Sequence, residues 1–231
     1  MGLIVIMIFF GILSFVVSSR LKSKFRKYSE TPIRSNLSGK EIAEKMLADH
    51  GIYDVKVIST PGHLSDHYNP ATKTVNLSEA VYNGKNAAAA SVASHECGHA
   101  VQHARAYTML EFRSALVPMQ NISAKVINVI FMISLFGGFF LFNAFPTNLV
   151  LTVIIGAYTI MTLFSLVTLP VEFDASKRAL AWVTDKGIVS SSEHEMAKDA
   201  LKWAALTYVV AAVGSLVTLL YWVFVLLGNR D

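Results

Sequence analysis

Between Lys125 and Glu172 the chain reads VINVIFMISLFGGFFLFNAFPTNLVLTVIIGAYTIMTLFSLVTLPV, residues 126–171, without one charged side chain. About 20 apolar residues in a helix cross a hydrocarbon core, so this run is long enough for two crossings. Asn143-Ala144-Phe145-Pro146-Thr147-Asn148 interrupts it, because Pro146 has no amide hydrogen to give a helix and its polar neighbours favour a turn. The run reads as a hairpin of two membrane helices, about Ile122 to Phe142 and Leu149 to Leu169.

Two further stretches have the same character. Residues 1–19 and 203–229 carry no charged side chain, which predicts spans at about Leu3 to Ser19 and Ala205 to Leu227. The first could be a signal peptide, but its basic cluster Arg20, Lys22, Lys24, Arg26 and Lys27 follows the apolar run instead of preceding it, so a retained anchor is expected. The composition agrees: 231 residues, 53% hydrophobic and 16% charged with a mean hydropathy of +0.47, is too apolar for an ordinary soluble domain. One cysteine excludes an internal disulfide. The net charge of +4 is concentrated near Arg20 to Arg34, where anionic headgroups are the expected partner, and no nucleic-acid motif is present.

Lysine and arginine also set the orientation. They follow the first span, precede the second at Lys125 and follow the third at Lys177 and Arg178, while the hairpin turn has none. The side that collects them is expected to be the cytoplasm. The expected segments are an anchor with its basic flank (1–29), a cytoplasmic α+β segment (30–121), the hairpin (122–169), a cytoplasmic helical segment (170–204) and a C-terminal transmembrane helix (205–231). The fold class is a mainly α membrane protein, with four transmembrane helices and a small cytoplasmic α+β unit.

Chemistry enters at His95-Glu96-Cys97-Gly98-His99. In a helix His95 and His99 stand roughly 40° apart on one face with Glu96 beside them. Two imidazoles supply half of a tetrahedral zinc shell, and Glu96 is placed as general base for a water held by the metal. Around this helix, expected at Asn86 to Arg105, a capping box at Ser38 and Glu41 opens a helix that stops at Gly51. Strands are expected at Tyr53 to Ile58 and, at a sheet edge, Thr72 to Leu77. Asp174 to Lys186 is expected as a helix ended by Gly187, with a second capping box at Ser192 and Glu195.

A catalytic zinc usually takes a third protein ligand. Glu172 stands just past the apolar hairpin, where an unpaired carboxylate is costly and a metal would explain it. It could equally mark the membrane boundary or pair with Arg178. His103 lies about 80° round the helix from His95, without the glycine turn that the longer histidine pattern needs. His63 and His67 lie among Pro61, Gly62 and Pro70, where a helix is not expected. Tyr208 and His194 are candidates for stabilising an oxyanion, with nothing in the spacing to choose between them. Cys97 faces away from the ligands and reads as a small buried hydrophobe.

Taken together, Ser94 to Gln102, Leu169 to Ser176, His67-Tyr68-Asn69-Pro70, Val75-Asn76-Leu77-Ser78 and Ala205-Leu206-Thr207-Tyr208 resemble the bacterial zinc-dependent membrane metallopeptidases of the YugP type. The resemblance covers nearly the whole chain. It implies a gluzincin-like site related to the HtpX and CAAX-protease group, with His95, His99 and Glu172 binding one zinc ion and Glu96 as general base. That group commonly has an aspartate four residues after the ligand glutamate, orienting a zinc histidine, and this chain has Ser176 there; a serine raises the basicity of the imidazole less, and Asp174 could compensate only with a different local geometry. The resemblance also implies that an edge strand, here Thr72 to Leu77, pairs with extended substrate.

The function expected is a membrane-anchored zinc endopeptidase acting on protein or peptide substrates near the bilayer. A non-catalytic metal-binding adaptor or sensor, or a zinc hydrolase of a non-peptide bond, would use the same ligands. An intramembrane protease would need the zinc helix within the bilayer, and Lys85, Asn86, Gln102, His103 and Arg105 bracket too short an apolar stretch.

Overall fold

The computed structural model describes residues 2–137 and 144–228. The end of the expected second span and Asn143 of the hairpin turn lie outside the described residues. In chain order the elements are α1 (Gly2–Ser29), α2 (Gly39–Asp49), β1 (Lys56–Thr60), β2 (His67–Asn69), β3 (Thr74–Ser78), α3 (Glu79–Tyr82), α4 (Ala87–Ala104), α5 (Thr108–Gly137), α6 (Thr147–Asp185) and α7 (Ser191–Gly228). Helices α1, α5, α6 and α7 are long and apolar enough to cross a membrane. The protein is mainly α, with a small α+β unit.

The helices outrun the spans that the hydropathy predicts. Helix α6 has 39 residues, about 58 Å at 1.5 Å per residue, close to twice a hydrocarbon core. It passes through Pro170 without a break, so Leu149 to Leu169 and Asp174 to Lys186 form one helix where two were expected. Helix α5 likewise contains Pro118 and begins well before Ile122. Helix α7 opens at Ser191, and its capping box is Ser190 with Glu193, not Ser192 with Glu195: Ser190 N donates to Glu193 Oε2 at 2.7 Å and Glu193 N to Ser190 Oγ at 3.4 Å. Both serine–glutamate pairs have the right spacing. The first is selected because Glu193 also accepts from Arg34 N at 3.0 Å.

The chain forms two compact units. One comprises Met1–Phe15, Phe112–Leu169 and Tyr208–Asp231. Its helices approach closely at glycine: a Cβ on Gly214 would meet the Phe10 ring at 3.2 Å, and one on Gly2 the Tyr221 ring at 3.0 Å. Small residues at such crossings let membrane helices gain dispersion contact that lipid would otherwise supply.

The other comprises Val16–Glu111 and Pro170–Thr207. Helix α2 opens with the expected Ser38–Glu41 capping box. Gly51, at φ +72°, ends it: Gly51 N bonds Ala48 O and Ile52 N bonds Leu47 O, the paired closure of a left-handed helix end. Gly187 ends α6 in the same way, with Gly187 N on Thr184 O and Ile188 N on Val183 O. The core lies between α2 and α4, where Ile42, Ala43 and Met46 pack with Ala90, Ala93, Cys97 and Val101, and Trp182 and Val183 of α6 join it.

The sheet order is β1-β3-β2, with β1 and β3 parallel and β2 and β3 antiparallel. Strand β3, expected at an edge, is therefore central, and its backbone is engaged on both sides. The strand that displaces it to the centre is β2, three residues hidden in a Pro/Gly/Asp-rich connection. Strand β1 starts three residues later than expected, since Ile52 still belongs to the closure of α2 and Tyr53 is exposed.

Candidate metal centre

Helix α4 starts from Asn86, whose side chain accepts from Ala89 N at 2.9 Å, and its alanine-rich first turns favour helix and allow close packing. That packing sets the centre. A Cβ on Gly98 would lie 2.6 Å from Ala175 O, so only glycine lets the backbone of α6 come this close to α4. Ala175 is flanked on α6 by Glu172, about one turn earlier, and by Ser176.

The approach brings His95, His99 and Glu172 together, with their ligand atoms all within 4.8 Å of one another. Glu172 Oε2 is 3.3 Å from His95 Nε2 and 3.6 Å from His99 Nε2. Two ligands about 2.05 Å from a tetrahedral ion stand roughly 3.3 Å apart, so the spacing suits zinc. Both His99 and Glu172 are buried.

The hydrogen-bond network fixes which way the imidazoles face. Gln102, fully buried on α4, donates through Nε2 to Val171 O and to Asp174 Oδ2, each at 2.8 Å. Both partners are acceptors only, which turns the Gln102 Oε1 to His99 Nδ1 at 3.0 Å. His99 Nδ1 must then carry a proton, and Nε2 faces Glu172, where its lone pair could serve a metal in place of the proton that otherwise bonds the carboxylate. His95 Nδ1 lies 3.1 Å from Ser176 Oγ, a hydroxyl that can accept the same proton. Two nitrogens and a carboxylate oxygen converge, a donor set that fits a divalent cation.

The charges respond to one another. Burial alone would lower the His99 pKa, but hydrogen bonding with Glu172 outweighs it and raises it above the ordinary imidazole value. Burial would raise the Glu172 carboxyl, yet hydrogen bonds from His95 and His99 hold it well below the carboxylate range. Asp174 is held by Arg178 Nε at 2.6 Å, and the Arg178 guanidinium lies over the Tyr107 ring.

Glu96 follows His95 and is buried. Its Oε2 accepts from Tyr68 N of β2 at 3.0 Å. The edge strand β2 thus touches the carboxylate directly, while the Tyr68 hydroxyl pairs with His103 Nδ1 at 2.7 Å.

The structure gives the other candidate histidines partners of their own. His103 is on the exposed end of α4, His67 bonds Ser65 O within its own loop, His63 lines a separate cavity, and His194 bonds Thr184. Tyr208 belongs to the other unit. Cys97 packs in the core, where burial pushes its thiol far up. Sequence reasoning missed Gln102, although its spacing of three from His99 puts both on one helical face, and it missed Tyr68, whose role is carried by a backbone amide.

The chain matches the family described as putative neutral zinc metallopeptidase over residues 3–227. It is 41% identical over 221 residues, 95% of its own length and 94% of the relative's, to a protein of Bacillus subtilis (strain 168) described as putative membrane protease YugP. No solved structure matches.

Proposed function

Since the chain belongs to the putative neutral zinc metallopeptidase family, we propose that it is a membrane-anchored endopeptidase in which His95, His99 and Glu172 hold zinc in a gluzincin-like site and Glu96 is the general base. The observation that carries this reading is the convergence of two imidazole nitrogens and a buried carboxylate beside Glu96. Zinc held there would supply Lewis acidity toward a scissile carbonyl and an attacking water.

The residues of the chain do the rest. The Tyr68 amide fixes one oxygen of Glu96, leaving the other to take a proton from water and return it to the leaving amine as the C–N bond breaks. Strand β2 replaces Thr72 to Leu77 as the candidate for substrate pairing, because it lies at the sheet edge and meets the base. Main-chain pairing there would bind extended peptide with little side-chain selectivity. The lysine and arginine asymmetry supports a site on the cytoplasmic side, acting on segments close to the bilayer.

Glu96→Gln tests the assignment. The variant keeps stoichiometric zinc and loses cleavage of a fluorogenic peptide mixture by about 10²- to 10⁴-fold, the range of a lost general base. A variant that cleaves at the parent's rate would remove the catalytic role from Glu96.

A further inference from the structure

The basic cluster that follows the uncharged start of α1 is not used uniformly. Lys24 is paired with Asp199 at 2.7 Å and approaches Tyr28. Lys22 and Arg26 are four residues apart, so they share a helical face opposite Lys24. They open onto a separate cavity of about 260 Å³, lined also by Phe25, Ser29, His63 and Ala80.

Among the described residues, no acidic side chain lines this cavity. The Ser29 hydroxyl donates to Arg26 O at 2.7 Å, so its hydrogen is already used within the helix. What faces the space is two cations and an imidazole, and the His63 ring is seated edge-on against Phe25 with centroids 5.7 Å apart. Cations gathered without a carboxylate to pair them describe an anion site.

Position along α1 narrows the anion. The uncharged run ends at Ser19; Lys22 and Arg26 follow it by about 4.5 and 10.5 Å at 1.5 Å per residue. The headgroup layer extends roughly 5–7 Å beyond the hydrocarbon on each side, and both side chains are long enough to reach back into it. We infer that the cavity binds the phosphate of an anionic phospholipid, with Lys22 and Arg26 on the phosphate oxygens and His63 donating a further hydrogen bond.

The full chain in neutral detergent, titrated with phosphatidylglycerol, with phosphatidylcholine and separately with inorganic phosphate, tests this by native mass spectrometry. Phosphatidylglycerol is retained at least about tenfold better than phosphatidylcholine. Lys22→Gln and Arg26→Gln each weaken it by about tenfold, the loss of one charge-assisted contact. The double variant Arg20→Gln/Lys27→Gln, which removes two charges outside the cavity, changes it by less than about threefold, and unchanged melting temperatures certify that all variants are folded. Equal losses in both sets would mean diffuse attraction and overturn the site. Inorganic phosphate that binds alone with the same dependence on Lys22 and Arg26, and displaces the lipid, would overturn the lipid as its ligand.

Discussion

Replacing Gly98 by alanine perturbs the centre without touching any side chain in it. The new methyl would sit 2.6 Å from Ala175 O and 3.1 Å from Ala175 C and Cα, backbone atoms that cannot rotate aside. A carbon–oxygen contact needs about 3.3 Å, so α6 must retreat by roughly 0.7 Å. Glu172 and Ser176 travel with it, and metal–ligand distances tolerate only about 0.2 Å. Zinc affinity is therefore expected to fall by about 100-fold or more, beyond the usual effect of altering a residue behind the ligands. Stability should fall by about 1–3 kcal/mol from overpacking, offset in part by the roughly 1 kcal/mol that alanine gains over glycine in a helix. Competition against a chromophoric chelator reads the affinity, and a thermal melt in detergent reads the stability. Gly156→Ala is the control, since a Cβ there meets nothing within 4 Å, and it should leave zinc binding unchanged. If Gly98→Ala bound zinc within threefold of the parent, close approach of α6 would not be what positions the carboxylate.

Gln102→Leu removes the acceptor of the buried His99 Nδ1–H; zinc affinity should drop about 10- to 100-fold, and an unchanged affinity in the same competition assay would show that the amide does not orient the ring. In the chelated protein, the raised His99 pKa contributes stability that is full below the unfolded value of about 6.5 and fades as pH rises through the folded value. The lowered Glu172 pKa contributes stability that is full above the ordinary carboxyl value of 4.5 and fades as pH falls through the folded value. The chelated form is thus most stable between these values, zinc must displace a proton to bind, and the melting-temperature gain from zinc should grow from pH 6 to 8; a flat gain would contradict the coupling. Cys97, whose thiol burial pushes far up, should resist iodoacetamide at pH 8 when folded and react in denaturant, and rapid alkylation of the folded chain would mean that it is not in the core.

Local rules read much of this protein correctly, because the residues that end elements act on their neighbours. Ser38, Glu41, Gly51 and Gly187 each did what their side chain or its absence dictates. The grouping of His95, His99 and Glu172 was legible in part: the first two follow from helical spacing, while the position of the carboxylate left a membrane-boundary role equally open and the family resemblance chose between them. What escaped depends on tertiary contact. Strand β2 is too short to show alternation, and it exists because β3 offers an edge on that side. The span ending at Leu169 and the helix from Asp174 read as separate, but one helix runs through Pro170 and joins them. The choice between two capping boxes rested on Arg34, far away in sequence.

The substitution of serine for the expected aspartate at Ser176 becomes intelligible once the charges are counted together. Asp174 and Arg178 neutralise one another, and Gln102 passes the pull of that carboxylate to His99 as a neutral amide. Glu96 and Glu172 are acidic groups beside the histidines, both buried. An aspartate at position 176 would add a further negative charge there, which burial makes expensive. Against the effect of burial, hydrogen bonding between the histidines and the Glu172 carboxylate accounts for the opposite displacements of His99 and Glu172. The neutral partners on both Nδ1 atoms therefore orient the imidazoles without adding negative charge beside the two carboxylates.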